Sequence, residues 1–149
     1  MTTKADFTEQ EWKDVLGGPP AAAMIVILAQ RGGSFRETWA IGKTYAEARQ
    51  KHGASELLDE IVAAKPEVDH SHYAKFDDVE KHGLEHVQSA LDVLKAKATP
   101  REIDDYRDFV VTLVEHVAHA HREHGADVSP AEQSAIDDIK ATLGGDGAT

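Results

Sequence analysis

An all-α, single-domain bundle of six or seven helices is the fold class this sequence predicts, and three observations predict it. Helix-start signals recur at Thr8, Ser34, Ser55, Thr99 and Ser129, and glycine stops stand at Gly53, Gly125 and Gly144. No alternation of apolar and polar residues with period two, the mark of a half-buried strand, interrupts the series. The length of 149 residues suits one domain, and a hydrophobic fraction of 41% is enough to build a core. The expected organisation is a flexible N-terminus at 1–6, one helical domain over 7–143 and a disordered tail at 144–149.

Each element has its own justification. Thr8 is followed three residues later by Glu11, the spacing of a capping box, and Phe7 with Trp12 has the spacing of a hydrophobic staple. A first helix is therefore expected from Thr8 to about Leu16, ended by Gly17-Gly18-Pro19-Pro20. A proline can open the next helix, and Ala21 to Gln30 is apolar on all sides. This second helix should be central. Its stretch Met24 to Leu28 should be the most buried part of the chain, wrapped by the third, fifth and sixth helices.

Ser34 with Glu37 opens the third helix, which should run to about His52. Ser55 caps a short fourth helix through Leu57, Leu58, Ile61 and Val62, closed by Pro66. The fifth starts near Asp69 or Ser71 and reaches about Ala98, with an apolar stripe at Tyr73, Phe76, Leu84, Val87, Leu91 and Leu94. Gly83 inside it costs about 1 kcal/mol against alanine, which points to a close helix contact or a kink. Thr99-Pro100-Arg101-Glu102 joins an N-cap, a first-turn proline and a capping-box glutamate. The sixth helix should run from there to His124, with a stripe at Ile103, Tyr106, Val110, Leu113, Val114 and Val117. Val111 and Ala118 widen that stripe, as packing on two sides requires. Ser129-Pro130-Ala131-Glu132 repeats the start signal, and the last helix carries Ile136, Ile139 and Leu143.

Composition excludes several functions. The formal net charge is -11, from 16 Lys+Arg against 27 Asp+Glu. Nucleic-acid backbones and anionic membranes need a basic face, so neither is expected as a partner. The longest apolar run, Ala21 to Ala29, is nine residues, against roughly 20 for a bilayer span. It follows an acidic segment and not the basic region of a signal peptide. With no cysteine there is no disulfide, cysteine-zinc or thiol chemistry. The expected setting is cytoplasmic.

The sequence also contains a weak internal repeat. Ser34, Glu37, Ala40 and Ile41 align with Ser129, Glu132, Ala135 and Ile136. Each copy lies downstream of another capping box, at separations of 26 and 30 residues. Two readings stand side by side: well-capped helices look alike, or a helix pair has been duplicated into a pseudo-symmetric bundle.

The segment from Glu115 through His121-Arg122-Glu123-His124-Gly125 to Val128-Ser129-Pro130-Ala131-Glu132 and Ile136 resembles the tellurite-resistance TerB-like helical families. Those families repeat a helix, an acidic glycine-containing turn and a Ser-x-x-Glu helix start. The opening Phe7 to Trp12 and its spacing to Gly32-Gly33-Ser34 resemble small bacterial proteins of the same build. The resemblance implies an all-helical bundle, a link to stress and, in some members, a divalent metal on acidic turn residues. This chain departs at those turns, with Arg31-Gly32-Gly33 in one copy and His124-Gly125-Ala126-Asp127 in the other.

Nine histidines are the chemical oddity. His82-Gly83-Leu84-Glu85-His86 reads as the inverted zinc-protease signature, two imidazoles one turn apart with a glutamate base. Helical geometry turns it outward: His82 falls about 130° from the centre of the apolar stripe. Hydrolytic zinc needs a third ligand and a dry cavity, which an outward face does not supply. Gly42-Lys43-Thr44 lacks the upstream glycine of a phosphate-binding loop and lies within a helix. His116 and His119, flanking the sixth stripe, read as surface groups.

His121 and His124 instead continue that stripe, and Glu80 sits inside the fifth stripe between Phe76 and Leu84. In an antiparallel hairpin about Thr99, Glu80 would face residue 118, and Asp77 would lie nearly level with His121. Imidazoles and carboxylates converging from facing helices can hold zinc or iron. The candidate metal set is therefore Glu80, His121, His124 and Asp77, with a structural Glu–His pair or no contact as the alternatives. The leading functional expectation is a non-enzymatic, stress-associated binding module acting through a protein partner or a weakly bound divalent metal. The alternative is a bundle metalloprotein with a His/carboxylate site. An oligomer-forming module is a third reading.

Overall fold

The computed structural model describes residues 3–29, 35–50, 56–64, 76–123 and 130–144, leaving aside the side chains of 28–29, 35–39, 76–80, 120–123 and 131–132. The helices are α1 (Glu9–Ala29), α2 (Phe35–Gln50), α3 (Glu56–Ala63), α4 (Phe76–Lys97), α5 (Pro100–Glu123) and α6 (Pro130–Gly144). Among the described residues 94% are helical and none lies in a strand. The chain is thus an all-α bundle. None of its described helices is long and apolar enough to cross a membrane.

The helix starts are built as their sequence signals require. The Glu11 amide donates to Thr8 Oγ1 at 3.1 Å while the Thr8 amide donates to Glu11 Oε1 at 2.9 Å. The Phe7 and Trp12 rings close the staple with centroids 5.7 Å apart. The same reciprocal box opens α5, where the Thr99 amide reaches Glu102 Oε1 at 2.8 Å and the Glu102 amide reaches Thr99 Oγ1 at 3.2 Å. Ser34, Ser55 and Ser129 lie outside the described residues. Ahead of α1, Lys4–Asp6 forms a 3-10 turn, and the Lys4 amide donates to Glu60 Oε2 on α3.

One boundary differs from expectation. Gly17-Gly18-Pro19-Pro20 does not divide two helices; α1 runs straight through both prolines. Pro19 has no N–H to give to the carbonyl of Val15 four residues back. The Tyr106 hydroxyl replaces it, donating to Val15 O at 2.7 Å from within the core. Gly18 makes room for this, since a Cβ there would overlap the Tyr106 hydroxyl and lie 3.1 Å from Ala90 Cβ. A tertiary donor thus overrides a local stop signal.

The continuous α1 is the centre of the bundle. Ala22 to Ile27 is its longest unbroken buried stretch, with Ile25 and Val26 fully enclosed; the Leu28 side chain lies outside the described set. Helix α1 packs most extensively on α4, then on α5 and α6, and only slightly on α2. So α6 takes the flank expected of the helix at Phe35–Gln50. Gly83 is a close helix contact: a Cβ there would lie 2.6 Å from Ile25 Cδ1. The repeat-related pairs Ala40-Ile41 and Ala135-Ile136 are all buried. At the other end of α4, Lys97 donates to Asp6 O at 2.9 Å and pairs with Glu11 at 2.5 Å, clasping the start of α1.

Candidate functional site

The second-largest helix contact joins α2 to α5, and α3 closes one end of it. These three helices enclose a groove of about 230 Å³. Thr44, Glu47 and Ala48 come from α2, Leu58 and Asp59 from α3, and Asp105, Asp108, Phe109, Thr112 and His116 from α5. The α5 residues follow helical spacing, so one face of that helix supplies half the wall. Phe109 lines the groove, and behind it the Tyr45 and Phe109 rings meet edge to face at 5.0 Å. Arg49, one turn after Tyr45, donates from Nε to Val62 O at 2.6 Å and ties the end of α3 to α2.

The electrostatics of the groove are one-sided. Glu47, Asp59, Asp105 and Asp108 are four carboxylates, and no lysine or arginine is among the described lining residues. Asp105 Oδ2 is shielded from solvent and has no hydrogen-bond partner. A buried acceptor without a donor costs about 1–3 kcal/mol. The Tyr45 hydroxyl, also buried and unpartnered, is held in its neutral form: burial raises its pKa well above the usual phenol value, with the Arg49 charge opposing.

Proton counting fixes the polarity at one end. Thr44 Oγ1 donates its single proton to Ala40 O at 2.8 Å. It also lies 2.9 Å from His116 Nδ1, so the imidazole is the donor there and Nδ1 carries the hydrogen. In the neutral ring Nε2 is then an acceptor. A threonine activated as a nucleophile would give its proton to the histidine; here that polarity is reversed. The Thr44 hydroxyl is therefore a positioning group for His116. Apart from Thr44, Thr112 and His116, the polar side chains lining the groove are carboxylates.

The metal set expected from sequence is not described at the level of its side chains. Asp77 and Glu80 lie on α4 and His121 on α5, but their side chains, and His124 altogether, are outside the described set. Among the described residues α4 packs mainly on α1, and α5 mainly on α2 and α1, with a smaller α4–α5 contact. Among the described residues no group of three or more His, Cys, Asp or Glu is placed to hold a metal. His82, Glu85 and His86 are exposed on α4, as the helical geometry requires, with His82 Nδ1 3.5 Å from Glu85 Oε2. His119 is exposed, while His116 is exposed overall with one ring nitrogen engaged by Thr44. Sequence reading missed the groove. Its available signal was Asp105, Asp108, Phe109, Thr112 and His116 on one helical face, beside a stripe already read as apolar. No protein-family model, curated protein or solved structure matches this chain.

Proposed function

We propose that this protein is a non-enzymatic helical binding module that seats a cationic group of a protein partner in the groove between α2, α3 and α5. The observation that carries the reading is the acidic wall: Glu47, Asp59, Asp105 and Asp108 line a cavity of side-chain size, with no lysine or arginine among the described lining residues. Such a wall complements a donor-rich cation, and the guanidinium of an arginine best combines fixed charge with several N–H donors. The reversed Thr44–His116 polarity favours binding over nucleophilic catalysis. The net charge of -11 would steer a basic partner toward the chain. A cytoplasmic setting is supported by the cysteine-free composition. The stress association and a weakly bound divalent ion rest on the TerB-like resemblance alone.

The test is an NMR titration of the full chain with butylguanidinium and its neutral isostere butylurea. The expected result is amide shifts clustered on Thr44, Ala48, Leu58 and Thr112 for the cation. They should be weaker for the urea, reduced by added salt, and diminished in Asp105→Asn and Asp108→Asn variants. Shifts scattered over the surface, or equal for both probes, would overturn the proposal.

A further inference from the structure

The outer face of α4 carries chemistry that the groove does not use. His82 and His86 are both exposed and lie four residues apart, so their Cβ atoms stand one above the other on the same helical face. Two imidazoles at this spacing can chelate one ion, the arrangement that zinc-binding helices use for their paired histidines. Glu85 adds a carboxylate 3.5 Å from His82 Nδ1, placing negative charge beside the pair and favouring coordination through the opposite ring nitrogen. Exposed side chains exchange rotamers in picoseconds to nanoseconds, so the rings can converge on one ion without a change of backbone. The backbone beneath them is already fixed, because Gly83 and Val87 bury the inner face of the same turns.

We propose that His82 and His86 form a surface port for a divalent transition-metal ion of the imidazole-preferring class: nickel, copper or zinc. The port supplies two protein nitrogens and leaves the remaining coordination positions to water or to a ligand from another molecule. That is the chemistry of a recruiting or bridging ion, not of an enclosed hydrolytic centre, which needs three protein ligands. Calcium and magnesium prefer oxygen donors and should not bind here. The port is independent of the cation groove.

The test uses untagged full-length chain titrated with Ni²⁺ while amide signals are followed by NMR. Substoichiometric Ni²⁺ should broaden the amides from Lys81 to Gln88 first, and magnesium should not compete. His82→Ala and His86→Ala should each weaken binding by at least about tenfold, since losing a ligand costs no less than losing a supporting hydrogen bond. His119→Ala should leave the affinity unchanged. Both substitutions are on the surface, so the fold should persist, and unchanged spectra away from α4 would verify it. Broadening centred on Asp77, Glu80, His121 and His124, or equal weakening by His119→Ala, would overturn the port.

Discussion

Replacing Tyr106 with phenylalanine removes one oxygen from the centre of the bundle and leaves the ring volume in place. That oxygen is the donor to Val15 O at 2.7 Å, and Val15 has no other helical donor because residue 19 is proline. Both Tyr106 and Val15 are fully enclosed, so water cannot enter freely to replace the bond. The variant therefore strands a buried carbonyl, at a cost of about 1–3 kcal/mol. With a urea dependence of about 1–3 kcal/mol per molar, the unfolding midpoint should fall by roughly 1 M with no change in slope. The control is Pro19→Ala, which returns an N–H to the Val15 carbonyl. In that background Tyr106→Phe should cost less, giving a coupling of about 0.5–3 kcal/mol in a double-mutant cycle. Equal costs in the two backgrounds would refute the idea that Tyr106 is what lets the helix pass its prolines.

Two further outcomes follow from the packing and the clasp. Gly83→Ala should destabilise the chain despite alanine's helix preference of about 1 kcal/mol, because the added methyl drives into Ile25 at 2.6 Å and overpacking costs about 1–3 kcal/mol. Thermal melts should show partial recovery when Ile25→Val trims the opposing side chain. The Glu11 carboxyl is held below its usual value of 4.5, first by the Lys97 hydrogen bond and then by the Thr8 backbone amide. A lowered acid contributes stability that is complete above its unfolded value and is lost as pH falls through the folded one. Melting temperature should thus decline on acidification below about 4.5, and Glu11→Gln or Lys97→Ala should remove that part of the slope; an unaltered slope in both variants would refute the clasp.

The parts of the fold legible in the sequence are those governed by bonds within one turn. The boxes at Thr8–Glu11 and Thr99–Glu102 need only a hydroxyl and a carboxylate three residues apart, so spacing is sufficient to read them. The division expected at Gly17 to Pro20 failed because the deciding donor, Tyr106, is remote in sequence. No local pattern announces a hydroxyl arriving from another helix. The candidate site was hidden for a related reason. Three helices share it, and each alone shows only a polar border: Glu47 on α2, Asp59 on α3, and Asp105 with Asp108 on α5. Carboxylates on a helix face ordinarily read as solvated. Only the packing of α2 against α5, with α3 against both, brings those borders together around one groove.

The distribution of imperfect polar burial separates the two sides of the bundle. Against α4, α1 is closed by small residues and aliphatic chains: Gly18 on Ala90 and Gly83 on Ile25 allow close approach. Its interrupted hydrogen bond at Val15 is repaired by Tyr106. Among the described residues, the buried side-chain atoms without partners are Tyr45 Oη, Asp105 Oδ2 and Arg107 Nε, and all three belong to α2 or α5. A chain that repairs one proline-orphaned carbonyl with a tertiary hydroxyl has the means to satisfy such atoms. Asp105, one of whose carboxylate oxygens has no partner, is at the same time a residue of the groove wall. The α1–α4 side is closed by close packing, and the α2–α5 side carries the buried side-chain atoms without partners among the described residues.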